Sequence, residues 1–92
     1  MYILLCSNGK YYTGSTIHLH ARMMQHFNGL GSNFTRKYPP VELIYYEKYP
    51  TIWEAFRREK QVQGWSKNKK EALIESRFND LPFLSKKLFK KK

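Results

Sequence analysis

Cysteine occurs once in the 92 residues, as Cys6, so no intramolecular disulfide can form. No second Cys, and no His at ligand spacing, completes a structural zinc site around it. A reducing, cytoplasmic compartment is the natural expectation. No apolar run approaches the ~20 residues that a membrane span needs, and Tyr2 to Cys6 is too short for a signal-peptide core. A soluble, untargeted chain without a membrane partner is therefore expected. Acids are scarce as well: seven Asp and Glu face seventeen Lys and Arg, for a formal charge of +10. That balance favours a polyanionic partner, nucleic acid ahead of an anionic membrane surface. Gly-rich phosphate loops, Ser/His/Asp sets and paired-cysteine motifs are all missing.

Packing material is plentiful. Hydrophobic residues make up 41% and aromatics 16%, too much for a disordered polyelectrolyte, and the length suits one domain. The charge is unevenly spread: residues 1–50 carry five Lys and Arg against two acids, and residues 51–92 twelve against five. The chain divides into a domain over residues 1–80 and a basic tail over 81–92 that holds the Lys86 to Lys92 run.

Tyr2 to Cys6 and Lys10 to Gly14 flank Ser7-Asn8-Gly9, and Asn-Gly between two apolar runs signals a β-hairpin. Ser15 or Thr16 can cap a helix running to about Phe27, with Leu19, Met23, Phe27 and Leu30 at helical spacing. Residues 29–40 read as loop. Val41 to Tyr49, β-branched and aromatic between prolines, reads as a third strand. Thr51-Ile-Trp-Glu54 is a capping box that starts a helix to about Gln63, and Ser66 can cap another to about Arg77. The order β-β-α-β-α-α implies an α+β fold, a small three-stranded antiparallel sheet covered by helices. His18 and His20, two residues apart, point in different directions on a helix and read as surface. Tyr45, Tyr46 and Tyr49 read as strand packing.

Polar residues interrupt this pattern in two places. The helix after Thr51 offers an apolar stripe of Ile52, Ala55, Phe56 and Val62, and Glu59 falls on it. An ionised acid buried without compensation costs several kcal/mol, so Glu59 requires a metal, a cation partner or a cleft. On the first helix Arg22 and His26 lie four apart beside Leu19 and Met23, forming a polar seam on the inward side. Each alone could be an edge residue whose stem covers apolar surface. As a pair they also suit phosphate chemistry: Arg offers a planar fork to phosphate oxygens, and His can move a proton near neutral pH.

Taken together these residues resemble the GIY-YIG endonuclease superfamily, in particular small stand-alone members related to the nuclease domain of the bacterial excision-repair endonuclease. The likeness spans about residues 1–75. Its signature halves are Tyr2-Ile3-Leu4 and Tyr12-Thr13-Gly14, followed by Leu19, Arg22 and His26 on the helix, Phe34-Thr35-Arg36 in the loop, and the segment from Glu54 to Ile74. Met1 directly precedes Tyr2, so the signature's first Gly is absent. Phe34 stands where relatives often carry Tyr, and Gln63 where many small members carry Lys.

The resemblance implies a metal-dependent endonuclease of nucleic acid, DNA in the first instance. It implies Mg²⁺ or Mn²⁺ held by Glu59 and water, Arg22 on the scissile phosphate, Tyr2 and Tyr12 lining the cleft with one of them activating water, and His26 as a proton-transfer or phosphate contact. Lys60, Lys67, Lys69 and Lys70 are the expected nucleic-acid contacts. The rival reading is a module that keeps the fold and binds nucleic acid without cutting it. For Tyr2 and Tyr12 to share a face, the hairpin loop must be odd: Ser7-Asn8-Gly9 with Gly9 left-handed, pairing Leu4 with Tyr12 and Tyr2 with Gly14.

Overall fold

The computed structural model describes residues 1–79, with side chains to residue 76. Its elements are strands β1 (Tyr2–Cys6), β2 (Tyr11–Gly14) and β3 (Pro40–Tyr46) and helices α1 (Leu19–Phe27), α2 (Asn33–Lys37), α3 (Ile52–Gln63) and α4 (Lys67–Asn79). The strands form one antiparallel sheet in the order β2-β1-β3. The expected α+β architecture and element order hold, with α2 as one addition. The basic tail at 81–92 lies outside the described residues.

Central β1 is covered on both sides, which is why Tyr2 to Cys6 is apolar nearly throughout. Tyr2, Leu4 and Cys6 pack with Leu19 and Met23 of α1 and with Phe34 and Tyr38. Ile3 packs on the other face with Tyr45, Val62, Trp65 and Leu73. The hairpin takes the odd-loop register: Gly9 sits at φ 82°, the Cys6 amide donates to the Lys10 carbonyl at 2.9 Å, and Leu4 pairs with Tyr12 and Tyr2 with Gly14. Between Ile3 and Leu4 the pairing with β3 slips from Tyr45 to Leu43. That irregularity admits an extra residue, so Tyr46 and Leu43, three apart, can both pack on the Tyr2 face.

Local signals fared unevenly. Thr51 caps α3, accepting from the Glu54 amide at 3.3 Å, and Ser66 accepts from the Lys69 amide at 3.2 Å. Helix α1 starts later than expected. Its N-cap is His18, without a side-chain cap, because Thr16 Oγ1 instead accepts the His18 amide at 2.9 Å and Ser15 is engaged elsewhere. The apolar stripes are shorter than their periodicity suggested, since Phe27, Leu30, Ile52 and Phe56 are exposed. The stretch read as loop contains α2, capped by Ser32 Oγ accepting the Thr35 amide at 3.2 Å. Strand β3 ends at Tyr46, three residues early, because the chain turns there to bring Glu47 under Tyr45, Tyr49 and Arg58.

Candidate active site

Tyr2 ends up under α1 because β1 alternates faces and the odd-loop hairpin sets its phenol beside β2. Its partner there is Gly14, and the fit depends on a bare Cα: a Cβ on Gly14 would lie 2.4 Å from the Tyr2 hydroxyl oxygen. Arg22 and His26, one turn apart on α1, come down on the same hydroxyl. The Tyr2 oxygen lies 2.7 Å from His26 Nε2, and Arg22 Nε donates to it at 3.4 Å. Arg22 Nη1 also donates to Gln25 Oε1 at 2.7 Å. Tyr12 packs alongside, with ring centroids 6.4 Å from Tyr2 and 5.4 Å from His26, and stacks on Phe34 at 5.9 Å. Phe34 therefore needs no hydroxyl to serve as packing.

The inner part of this cluster is enclosed, while Tyr12 and Arg22 are half-buried. Tyr2 and His26 are each 1% exposed. Burial pushes the Tyr2 phenol up to about 12, against the lowering influence of the Arg22 hydrogen bond. Burial, reinforced by the charge of Arg22, drives His26 down to about 4. Both shifts favour the neutral form, so the resting pair is uncharged at neutral pH.

Glu59 approaches from α3, the only acid among the buried residues described. Its placement follows from the helix period: Ala55 and Val62, four back and three on, are its buried neighbours on that face. Ser15 donates to Oε1 at 2.6 Å, Gln63 Nε2 donates to Oε2 at 3.2 Å, and the partly exposed Lys60 ammonium stands 3.8 Å from Oε2. Gln63 also reaches the Thr13 carbonyl at 3.5 Å, which ties α3 to β2 beside Gly14. The charge of Glu59 is felt at both the Tyr2 hydroxyl and the Met1 amino group. The salt bridge that Glu59 could have made with a buried cation is replaced by two neutral donors and an exposed lysine.

Among the described residues no three His, Cys, Asp or Glu side chains gather closely enough to hold a metal ion by themselves. Glu59 is nevertheless a fitting single anchor for Mg²⁺, which keeps several waters and is commonly bound through one or two carboxylates plus substrate phosphate. Each carboxylate oxygen accepts from a neutral donor that fixes its orientation, with the exposed Lys60 ammonium 3.8 Å from Oε2 as its ion-pair partner.

The five residues named from the sequence thus fall into two groups: Tyr2, Tyr12, Arg22 and His26 in direct contact, and Glu59 across β2 from them. Of the four lysines, Lys60 stands beside Glu59. Lys67 donates to the Gly9 carbonyl at 3.2 Å and, with Lys70, Lys10 and Tyr11, lines a depression of about 250 Å³. Lys69 lies over the Trp65 ring, 4.3 Å from its centroid. Ser15, Gln63 as a brace and Lys10 were not legible in the sequence as site residues. Ser15 carried only a capping signal, and nothing local tells a serine that caps from one that reaches 44 residues along the chain. His18 and His20 are exposed, as expected. No helix among the described residues is long and apolar enough to cross a membrane.

The model of the GIY-YIG catalytic domain matches residues 1–72, and the chain belongs to that family. Similar proteins are a UPF0213 protein of Bacillus pumilus, 40% identical over 80% of this chain and 76% of its own length, and one of Staphylococcus epidermidis, 37% identical over 82% and 92%. A UPF0213 protein of Staphylococcus aureus is 39% identical over 84% of this chain and 94% of its own. No solved structure matches.

Proposed function

We propose that this chain is a divalent-metal-dependent endonuclease that hydrolyses phosphodiester bonds in nucleic acid, with DNA as the expected substrate. The observation that carries the reading is the convergence on the Tyr2 hydroxyl of His26 at 2.7 Å and Arg22 at 3.4 Å, with the buried acid Glu59 held by Ser15 just past the end of β2.

The residues divide the work of an in-line displacement. Glu59, oriented by Ser15 and Gln63, would hold Mg²⁺ or Mn²⁺ with waters and a phosphate oxygen completing the shell. When bound, such an ion supplies Lewis-acid charge stabilisation to the phosphate and lowers the pKa of coordinated water. Arg22 has guanidinium donors to offer a non-bridging oxygen as charge develops on phosphorus. Tyr2 can take a proton from the attacking water as its own proton passes to His26 Nε2. An anionic phosphate in the cleft would favour the imidazolium that this transfer forms. Tyr12 walls the cleft against His26 and limits water. Lys60, Lys67, Lys69 and Lys70, joined by Lys10, would contact flanking phosphates, so binding should weaken as salt rises.

The test is a panel of labelled single-stranded, duplex and branched DNA and RNA, incubated with and without Mg²⁺ or Mn²⁺. Metal-dependent internal cleavage supports the reading. Tight, salt-sensitive binding with no cleavage under any metal would replace it with the binding-module alternative.

A further inference from the structure

His26 is held at both ring nitrogens, and its second partner has no part in the assignments above. Nδ1 lies 2.9 Å from Thr35 Oγ1. Thr35 is itself 1% exposed and belongs to the first turn of α2, nine residues along from His26. With His26 equally buried, Nδ1 has no solvent to turn to. The Gly31 backbone closes the other side: a Cβ at Gly31 would lie 2.2 Å from Nδ1 and 2.9 Å from Thr35 Oγ1.

The direction of each bond follows from the donor and acceptor capacities of its members. Thr35 Oγ1 has two acceptors on Ser32 to which its proton can turn, the carbonyl and Oγ, each at 3.2 Å. Tyr2 O–H has no such choice: Arg22 is a donor only, so His26 Nε2 is the acceptor beside it, and the imidazole's one proton then sits on Nδ1, where a Thr35 lone pair receives it. Nε2 is then bare and can only accept. Tyr2 O–H, at 2.7 Å, is the donor that fills it, and the Tyr2 oxygen keeps its lone pairs for Arg22 Nε–H at 3.4 Å. The opposite tautomer would set Nε2–H and Arg22 Nε–H together on the Tyr2 oxygen and leave the Tyr2 proton without an acceptor among these groups.

We propose that Thr35, oriented by Ser32, is a positioning residue that fixes His26 in its Nδ1–H tautomer and so presents a bare Nε2 to Tyr2. Tyr2, with an acceptor waiting for its proton, is thereby the tyrosine equipped to relay a proton from water, and Tyr12 is the wall. The tautomer is a property of the folded chain alone. Its catalytic consequence rests on the nuclease reading above.

Long-range proton–nitrogen correlation NMR on the ¹⁵N-labelled full chain distinguishes a bare from a protonated imidazole nitrogen by shift, with His26→Gln assigning the His26 signals. The expected wild-type spectrum has His26 Nδ1 protonated and Nε2 bare at neutral pH. Thr35→Val, which keeps shape but removes the hydroxyl, should move His26 to the other tautomer or to a mixture and lower kcat by about 10- to 100-fold with KM little changed, as for lost orienting partners elsewhere. Thr35→Ser should restore both readouts, and Thr35→Ala serves if the valine variant does not fold. A wild-type proton on Nε2, or an unchanged tautomer in the variant, would overturn the proposal. Because the tautomer is read without substrate, a chain that proves inactive sinks the nuclease reading and leaves the assignment of Thr35 to be decided by the spectrum.

Discussion

Ser15 and Glu59, 44 residues apart in the chain, meet in a 2.6 Å hydrogen bond in which the serine hydroxyl donates to Oε1. That bond crosses from the end of β2 to the middle of α3, and with Gln63 on Oε2 it fixes which way the carboxylate faces. Partners of this kind around a metal ligand typically govern affinity by 10- to 100-fold. Ser15→Ala should therefore raise the Mg²⁺ concentration needed for half-maximal cleavage by about tenfold while leaving saturated cleavage near wild type. A Mg²⁺ titration checks this, and an unshifted midpoint would show that the serine does not support the ligand.

Two glycine-to-alanine changes separate space from backbone conformation. At Gly14 the new Cβ would meet the Tyr2 hydroxyl at 2.4 Å, so Tyr2 must move. Gly14→Ala is expected to cost about 1–3 kcal/mol through overpacking and to reduce cleavage steeply, because the Tyr2 oxygen leaves His26 and Arg22. Gly9 has nothing within 4 Å of such a Cβ but sits at φ 82°. Gly9→Ala should cost about 1–2 kcal/mol in the turn and leave cleavage per folded molecule unchanged. Thermal melts and cleavage rates on the same preparations distinguish the two.

Acid should destabilise the fold in two stages. His26 is neutral in the folded chain down to about pH 4, whereas in the unfolded chain it takes up a proton near 6.5. Between those values the unfolded state binds more protons, so stability falls as pH falls, by about 3 kcal/mol in all. Glu47 acts below that range. Burial raises its pKa, but hydrogen bonds from Arg58, Tyr45 and Tyr49 outweigh burial and leave it lowered. The stability it contributes is present above the ordinary carboxylate pKa and is lost as pH drops through the lowered one. Denaturant melts from pH 8 to 3 should show the first limb starting near 6.5, and His26→Gln, less stable throughout, should flatten it.

How far the sequence discloses this molecule differs between its two halves. The hairpin register was legible because a shared face for Tyr2 and Tyr12 permits only an odd loop, and Gly9 supplies the left-handed residue. The Thr51 capping box was legible because both of its members lie within one turn. The polar seam of Arg22 and His26, and Glu59 on the buried side of α3, stood out as charges where periodicity called for apolar groups. Helix α2 did not, since a helix of five residues shows no periodicity and its Ser32 cap resembles any loop serine. Exposure of Phe27, Leu30, Ile52 and Phe56 was hidden for a different reason: helical spacing says which residues share a face, and the sheet is too small to cover the ends of those faces. Ser15 enters the site through a contact 44 residues along the chain, which local pattern does not encode, whereas Gln63 sits one turn from Glu59 on the same helix and Thr35 nine residues from His26, where spacing alone does not tell a brace from an ordinary polar residue.

The most direct test of the nuclease account is Glu59→Gln, assayed for Mg²⁺-dependent cleavage, nucleic-acid binding and thermal stability on one preparation. Gln keeps the shape of the side chain and an acceptor for Ser15, but removes the one acid in the enclosed site. Cleavage should fall by at least about 100-fold, with binding and melting temperature close to wild type, because binding draws on the lysines and the new amide NH2 is met by Gln63 once the Gln63 amide turns its oxygen toward it. Cleavage retained at the wild-type rate, or lost only in proportion to unfolding, would contradict it.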